Sequence, residues 1–286
     1  MTNADHTKHL EFVTIASGHE PAAGLPIDRG DIEYRIWPSD QATDSESLPT
    51  LTLLHEGLGC VTLWRDFPER LAEMSGLPVM AYSRFGYGHS SQASLPRSMN
   101  YMHDEARIHL PALLDALKIK RTVLIGHSDG ASIAAINAGD IDDSRIEGVV
   151  LMSPHFFCED KILNSIANAR TQWQTGMLRM QLVRYHGDNV DCAFEGWNGA
   201  WMSPAFRDWN IEDSLVRVSV PVLGIQREED PYGSDRQLQV ICDSDHSNRE
   251  IHFIDGTGHA PHQERPEQTL ALIRDFLTRY KIMGNT

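Results

Sequence analysis

The stretch Gly126-His127-Ser128-Asp129-Gly130 sets a serine between two glycines. A serine hydroxyl attacks a carbonyl only when a neighbouring base takes its proton, so the pattern carries chemistry only if a histidine and an acid can reach it. Two later stretches can supply them. "REEDPYG" brings three consecutive carboxylates, Glu228, Glu229 and Asp230, and "GTGHAPHQERPE" brings His259 and His262 on a glycine-containing loop. From the residues alone, any of the three acids and either histidine is a candidate. The His259-x-x-His262 spacing would also suit two metal ligands, but no further ligand lies nearby in the pattern and no metal is expected. His127, next to the serine, is expected to point away into the strand layer and serve structure.

For these groups to meet, each must stand at the end of an element aimed at one point. Six short β-rich runs are spaced along the chain: "TLTLLHEG", "LPVMAYSRFGYG", "RTVLIGHS", "IEGVVLMSP", "VPVLGIQ" and "EIHFID". Their apolar residues fall on both faces, the pattern of strands covered on both sides. Helix-length segments alternate with them. "DEARIHLPALLDALKI" has helical spacing with an expected kink at Pro111, "SDGASIAAINAG" is small and apolar, and "RPEQTLALIRDFLTRYKI" is amphipathic. The alternation predicts an α/β fold with a mostly parallel, doubly wound sheet. Ligands of such sheets bind beyond the carboxyl ends of the strands, which is where Ser128, the acidic cluster and His259 all stand. Ser128 follows a strand and opens a helix, the context in which a strained turn exposes a nucleophile and the helix N-terminus favours a forming oxyanion.

From about residue 156 to 214 the alternation stops, no strand is expected, and Trp173, Trp197, Trp201 and Trp209 appear. This segment reads as a helical cap inserted between two strands, leaving residues 1–155 and 215–286 as the core. Pro38 to Pro49, rich in Ser, Asp, Thr and Pro, reads as an exposed loop.

The chain has 286 residues, 41% hydrophobic and 23% charged, enough for a large packed α/β domain. Forty acidic against 25 basic residues leave a formal charge of -15, which repels nucleic acid and anionic membranes. Cys60, Cys158, Cys192 and Cys242 are too scattered for a zinc site or a disulfide framework. No apolar signal segment opens the chain and no long apolar run follows, so a cytoplasmic protein is expected.

"LLHEGLG", "AYSRFGYGHS", "GHSDGA", "PVLGIQREEDPYG" and "GTGHAPHQERPE" together resemble the α/β-hydrolase fold superfamily over nearly all of residues 10 to 282. The resemblance implies Ser128 as nucleophile, His259 as general base and Asp230 as orienting acid. It selects His259 over His262 because the family's catalytic histidine directly follows the glycine, and Asp230 because the family's acid ends that short turn. Haloalkane dehalogenases and epoxide hydrolases are disfavoured, since they need an aspartate where Ser128 stands.

The same resemblance places an oxyanion hole at the backbone N–H of Asp129 and at the loop after "LLHEG". There the family usually carries glycine after histidine, whereas this chain has Glu56. Gly57 becomes the expected donor, with Leu58 as the alternative. Two carboxylates, Glu56 and Asp129, beside a site that must stabilise an anion would repel it by about a kcal/mol or more at ~4 Å. Both are therefore expected to turn away and be held by partners, with Arg84 and His155 as the candidate cations. Trp64, Trp197 and Trp201 are expected around the substrate with Glu56, Arg84 and His155, and Tyr87 and Met202 less so. The expected activity is a serine hydrolase cleaving an ester-type bond of a small, partly apolar substrate through an acyl-enzyme, with no cofactor. A carbon–carbon bond hydrolase, a lactonase or an amidase would use the same triad, and a non-catalytic small-ligand receptor is the alternative from another class.

Overall fold

The computed structural model describes residues 10–15, 28–38, 48–243 and 247–283. Strands β1 (Glu11–Ile15), β2 (Gly30–Trp37), β3 (Thr50–Leu54), β4 (Val79–Tyr82), β5 (Thr122–His127), β6 (Ile146–Met152), β7 (Val222–Glu229) and β8 (Arg249–Thr257) form one sheet. Their spatial order is β1-β2-β4-β3-β5-β6-β7-β8. From β4 onward all neighbours are parallel, while β2 runs antiparallel to both β1 and β4. The six expected strands are all present; β1 and β2 are additional. Most of the expected exposed loop, residues 39–47, lies outside the described residues, as do residues 1–9.

Side chains alternate across the sheet because strand residues alternate faces. Leu51, Leu53, Val79, Ala81, Val123 and Ile125 pack with Phe67 and Leu71 of α1 (Phe67–Ser75) and, near the carboxyl terminus of the chain, with Ile273 and Phe276. Leu54, Met80, Leu124 and Leu151 face the other way, toward Leu110 and Leu114 and toward Ala131 and Ala134. Those last four lie on the helical run after β4 and on the helix after β5. Two apolar layers thus enclose a sheet whose central strand β5 is buried throughout.

The run after β4 comprises α2 (Tyr101–Asp104), a π-helical stretch (Glu105–His109) and α3 (Leu110–Ala116), and it stays helical through Pro111. Pro111 cannot donate a hydrogen bond to the carbonyl four residues back, and the wide π turn just before it accommodates that loss while the chain stays helical.

After β5 comes α4 (Asp129–Asp140), buried along most of its length. Between β6 and β7 lie α5 (Asp160–Gln174), α6 (Met177–His186), α7 (Val190–Trp201) and α8 (Glu212–Arg217). Among the described residues this segment has no strand, only a single bridge between Phe157 and Asn210. Helix α8 spans residue 214 and lies against α4, where a Cβ on Gly139 would come within 2.0 Å of the Ser214 carbonyl. The chain closes with α9 (Asp235–Gln239), α10 (Pro261–Glu264) and α11 (Pro266–Arg279). Among the described residues, no helix is long and apolar enough to cross a membrane.

Candidate active site

Ser128 sits between the end of β5 and the start of α4 with φ 54° and ψ -119°, a conformation that a residue bearing a Cβ rarely adopts. Close backbone approach explains both flanking glycines. A Cβ on Gly126 would lie 2.3 Å from the Gly130 carbonyl oxygen, and one on Gly130 would lie 2.0 Å from that of Leu54. The turn aims Ser128 Oγ at His259 Nε2, 2.9 Å away. His259 Nδ1 is 2.8 Å from each carboxylate oxygen of Asp230. A proton on Nδ1 donated to Asp230 leaves the Nε2 lone pair to accept from the serine hydroxyl.

Asp230 is buried, and Glu228 and Glu229 are exposed. Burial alone would raise the Asp230 pKa, but the charge and hydrogen bond of His259, with the Tyr232 N–H at 2.8 Å, hold it below the usual carboxylate range. His262 stands elsewhere, its ring 4.8 Å from Trp64 and 5.3 Å from Phe67. Burial keeps it well below the usual histidine pKa.

Asp129 opens α4, so its N–H is one of the helix's first four donors and has no carbonyl partner within the helix. Gly57 and Leu58 line the same cavity as Ser128. Their loop is held by its carbonyls: Arg84 Nη1 and Nη2 donate to the oxygens of His55 and Glu56, and His186 Nε2 is 3.0 Å from that of Leu58. His55 Nδ1 donates to the Glu56 oxygen, 2.7 Å away, while its Nε2 accepts from the Arg84 N–H. That pairing suits a neutral ring; burial first, then the Arg84 charge, keep the His55 pKa well below 6.5. Arg84 therefore differs from expectation. It is neither pocket-lining nor paired with a carboxylate, because its fork is committed to two backbone oxygens.

The two unusual carboxylates have other partners. Glu56 Oε2 lies 3.5 Å from His127 Nδ1, an ion-pair distance rather than a short hydrogen bond, and His127 Nε2 lies 2.7 Å from the His259 carbonyl oxygen. With an oxygen acceptor facing each nitrogen, the doubly protonated ring suits His127 best. Burial disfavours both charges, but the pairing prevails, raising the His127 pKa and holding that of Glu56 well below the carboxylate range. His127 is buried as expected, but it faces the two loops rather than the strand layer. Asp129 receives the Tyr101 hydroxyl at 2.7 Å and Trp201 Nε1 at 3.3 Å. Burial raises its pKa against the pull of Arg84 and these donors.

A cavity of about 130 Å³ opens over Ser128. Of the expected substrate-side residues, Glu56, His155, Trp197 and Trp201 line it; Ile166 and Tyr232 join them. Trp64 does not. Its ring is fully buried against Phe67 and His262 on the α1 side of the sheet. Tyr87 is buried against His55, and Met202, 43% exposed, also stays off the cavity. His155 pairs with neither carboxylate; burial, followed by the nearby His259, pushes its pKa down to about 3. Neither Ile166 nor Tyr101 carries a motif in the sequence. Tyr232, two residues beyond Asp230, had a usable signal in that spacing. Among the described residues there is no cluster of three or more potential metal ligands.

Residues 53–272 match the alpha/beta hydrolase family, and the chain belongs to it. The biotin biosynthesis bifunctional protein BioHC of Cellvibrio japonicus is 26% identical over 261 residues, 80% of this chain. The chain spans only 47% of that relative's length. Among solved structures, proline iminopeptidase of Mycobacterium smegmatis superposes with a TM-score of 0.67 at 20% identity, covering 95% of this chain and 99% of that one. The enol-lactonase of Burkholderia xenovorans gives 0.64 at 20% identity, covering 87% and 96%. At those identities the two structures share the fold.

Proposed function

We propose that this chain is a serine hydrolase that cleaves an ester-type bond of a small substrate through an acyl-enzyme. The observation that carries the reading is the continuous chain from Ser128 Oγ through His259 to Asp230, 2.9 Å and 2.8 Å, at a cavity that Ser128 and His259 both line. As the Ser128 oxygen bonds to the substrate carbonyl carbon, its proton passes to His259 Nε2. Asp230 holds the ring in the tautomer that can accept it and stabilises the imidazolium. The negative carbonyl oxygen is received by the N–H of Asp129 and by that of Gly57 or Leu58, each such donor being worth about 10²–10³ in rate. His259 then protonates the leaving oxygen. Water, activated by the same ring, releases the acid and frees Ser128.

The helices between β6 and β7 act in this reading as a cap: they bring Ile166, Trp197 and Trp201 to the cavity wall. Glu56 and Asp129 are compatible with an oxyanion because His127, Tyr101 and Trp201 take up their oxygens. An amide, a lactone or a carbon–carbon bond would use the same nucleophile, and the names of the iminopeptidase and enol-lactonase neighbours keep the first two in the assay.

Hydrolysis of p-nitrophenyl acetate, butyrate and octanoate by the wild type and Ser128→Ala tests the reading, with an amide and a lactone assayed alongside. The expected result is turnover of the short esters that Ser128→Ala abolishes. A folded wild type inert toward every ester would refute it.

A further inference from the structure

The two candidate oxyanion donors beyond Asp129 sit at the centre of a tight turn, which the Gly59 N–H closes on the Glu56 carbonyl at 3.1 Å, with Gly57 and Leu58 between. Its two ends are held by different parts of the chain. At the entry, the Glu56 carbonyl also accepts from His55 and Arg84, which follow β3 and β4. At the exit, the Leu58 carbonyl accepts from His186 Nε2 at 3.0 Å, and His186, 128 residues further along, is the last residue of α6. The His186 ring is buried and both of its nitrogens are engaged. Nδ1 accepts from the Gly88 N–H at 2.9 Å, so Nε2 carries the proton and donates to Leu58. Burial lowers the His186 pKa, which favours that neutral ring. The Gly88 turn is itself fixed. Its φ is 52°, a Cβ there would come within 2.0 Å of Glu33 Oε2, and the buried Glu33 accepts from Ser83 Oγ and the His89 N–H.

Seating α6 on the core does not by itself require the bond to Leu58. Asn189, just beyond α6, grips the Gly88 turn independently, with Nδ2 donating to the carbonyls of Gly88 at 3.2 Å and Ser90 at 2.6 Å. What His186 adds is a hold on the Leu58 peptide. A peptide unit is planar, and its carbonyl and N–H point to opposite sides. The unit after Leu58 is therefore held twice, by His186 at the carbonyl and by the Glu56 oxygen at the Gly59 N–H. The unit before Gly57 is held at the Glu56 carbonyl. Between these two fixed planes lies the peptide that carries the Leu58 N–H, so its direction is set from both ends. Such a donor lowers the barrier only when it is already aimed at the place where negative charge develops.

We propose that His186 is a positioning residue for the reaction: by holding the Leu58 carbonyl it aims the Gly57–Leu58 turn at the forming oxyanion. The segment between β6 and β7 then supplies more than cavity wall. Trp197 of α7 packs on Gly57, where a Cβ would lie 2.1 Å from its Nε1, and His186 of α6 sets Leu58. The oxyanion hole is complete only with that segment in place.

The inference rests on Ser128 being the nucleophile, and two substitutions isolate the bond to Leu58. His186→Asn ends where Nδ1 stands, so it can still accept from the Gly88 N–H but is too short for the Leu58 carbonyl. His186→Gln reaches as far as Nε2 and restores a donor there. kcat and KM are measured on p-nitrophenyl acetate, together with inhibition by 1,1,1-trifluoroacetone. With that inhibitor Ser128 Oγ bonds to the carbonyl carbon, the C=O electron pair becomes the oxyanion and the serine proton passes to His259, so its affinity reads the hole without turnover. His186→Asn is expected to lower kcat about 10–100-fold, less than the loss of a whole donor, with KM within about threefold and trifluoroacetone weakened in parallel with kcat. His186→Gln should recover most of both. His186→Phe, which makes neither bond, should match His186→Asn in kcat and covers the case in which His186→Asn does not fold. Asn189→Ala should unfold at lower urea while keeping kcat within about threefold of wild type, because it leaves carbonyls of the Gly88 turn unpaired and Leu58 untouched. Wild-type kcat and trifluoroacetone affinity in His186→Asn or His186→Phe, a His186→Gln no better than His186→Asn, or the same loss of kcat in Asn189→Ala overturns the inference. A wild type inert toward the ester, or trifluoroacetone binding undiminished in Ser128→Ala, overturns the nucleophile assignment instead, and this inference with it.

Discussion

Replacing Glu56 by Gln keeps the reach of the side chain toward His127 and removes its charge. His127 would then stand between a neutral amide and the His259 carbonyl, 2.7 Å from its Nε2, and its charged form would lose its counter-ion. Removing one member of a fully buried pair costs about 3–5 kcal/mol. The Glu56 side chain is 26% exposed and 3.5 Å away, so about 1–3 kcal/mol is expected instead.

The loss should depend on pH in a defined direction. The folded pKa of His127 is raised above its ordinary 6.5, so its contribution is complete below that value and lost as pH rises through the raised one. The folded pKa of Glu56 is depressed, so its contribution is present above its ordinary 4.5 and lost as pH falls toward the depressed value. The pair therefore stabilises most between those two ordinary values. Urea unfolding of wild type and Glu56→Gln at about pH 5.5 and about pH 9 should show the larger difference at the lower pH. A difference that is equal at both, or larger at the higher pH, would refute the ion pair. Because His127 also anchors the His259 backbone, kcat should fall in the variant while KM moves less.

Asp230→Asn should leave the protein folded and lower kcat by roughly 10⁴-fold, because an amide favours the wrong His259 tautomer; steady-state kinetics on the best ester would show it. Arg84→Lys should destabilise by about 1–3 kcal/mol in urea melts and lower kcat, since one ammonium cannot span the His55 and Glu56 carbonyls that the guanidinium fork bridges. Gly57→Ala should hinder substrate as well as folding, because the new Cβ would lie 2.1 Å from Trp197 Nε1 and displace that buried ring, which lines the cavity. A rise in KM for the larger esters with a lowered melting temperature is the expected signature. Gly130→Ala should instead fail as a fold, with little soluble protein recovered, because its Cβ would meet the Leu54 carbonyl at 2.0 Å and backbone has nowhere to move.

Periodicity, glycines and chain order were local properties, and they carried far. The buried runs announced β3 to β8, the glycines around Ser128 marked a turn that only small neighbours tolerate, and Ser128, the acidic cluster and His259 stood at the ends of β5, β7 and β8. β1 escaped because it is a short, largely exposed edge strand, and β2 because charged residues interrupt its apolar pattern. One of these, Glu33, is buried and hydrogen-bonded to Ser83 and His89, which no local pattern announces. The family resemblance, not the residues themselves, chose Asp230 over its two acidic neighbours and His259 over His262. In the folded chain, burial distinguishes them: Asp230 turns inward while Glu228 and Glu229 face solvent.

Side-chain partners across the sheet were beyond the sequence. Arg84 was expected to meet a carboxylate and instead binds two carbonyls. Trp64 was expected at the substrate and packs on the far layer, while Trp197 and Trp201 reach the cavity. Glu56 found His127, which had been read as facing the strand layer. Strand period and turn chemistry depend on neighbours within a few residues, so the sequence by itself determined the elements and the order of their reactive ends. The direction of a long side chain depends on which distant backbone passes beside it, and only the tertiary structure decided that.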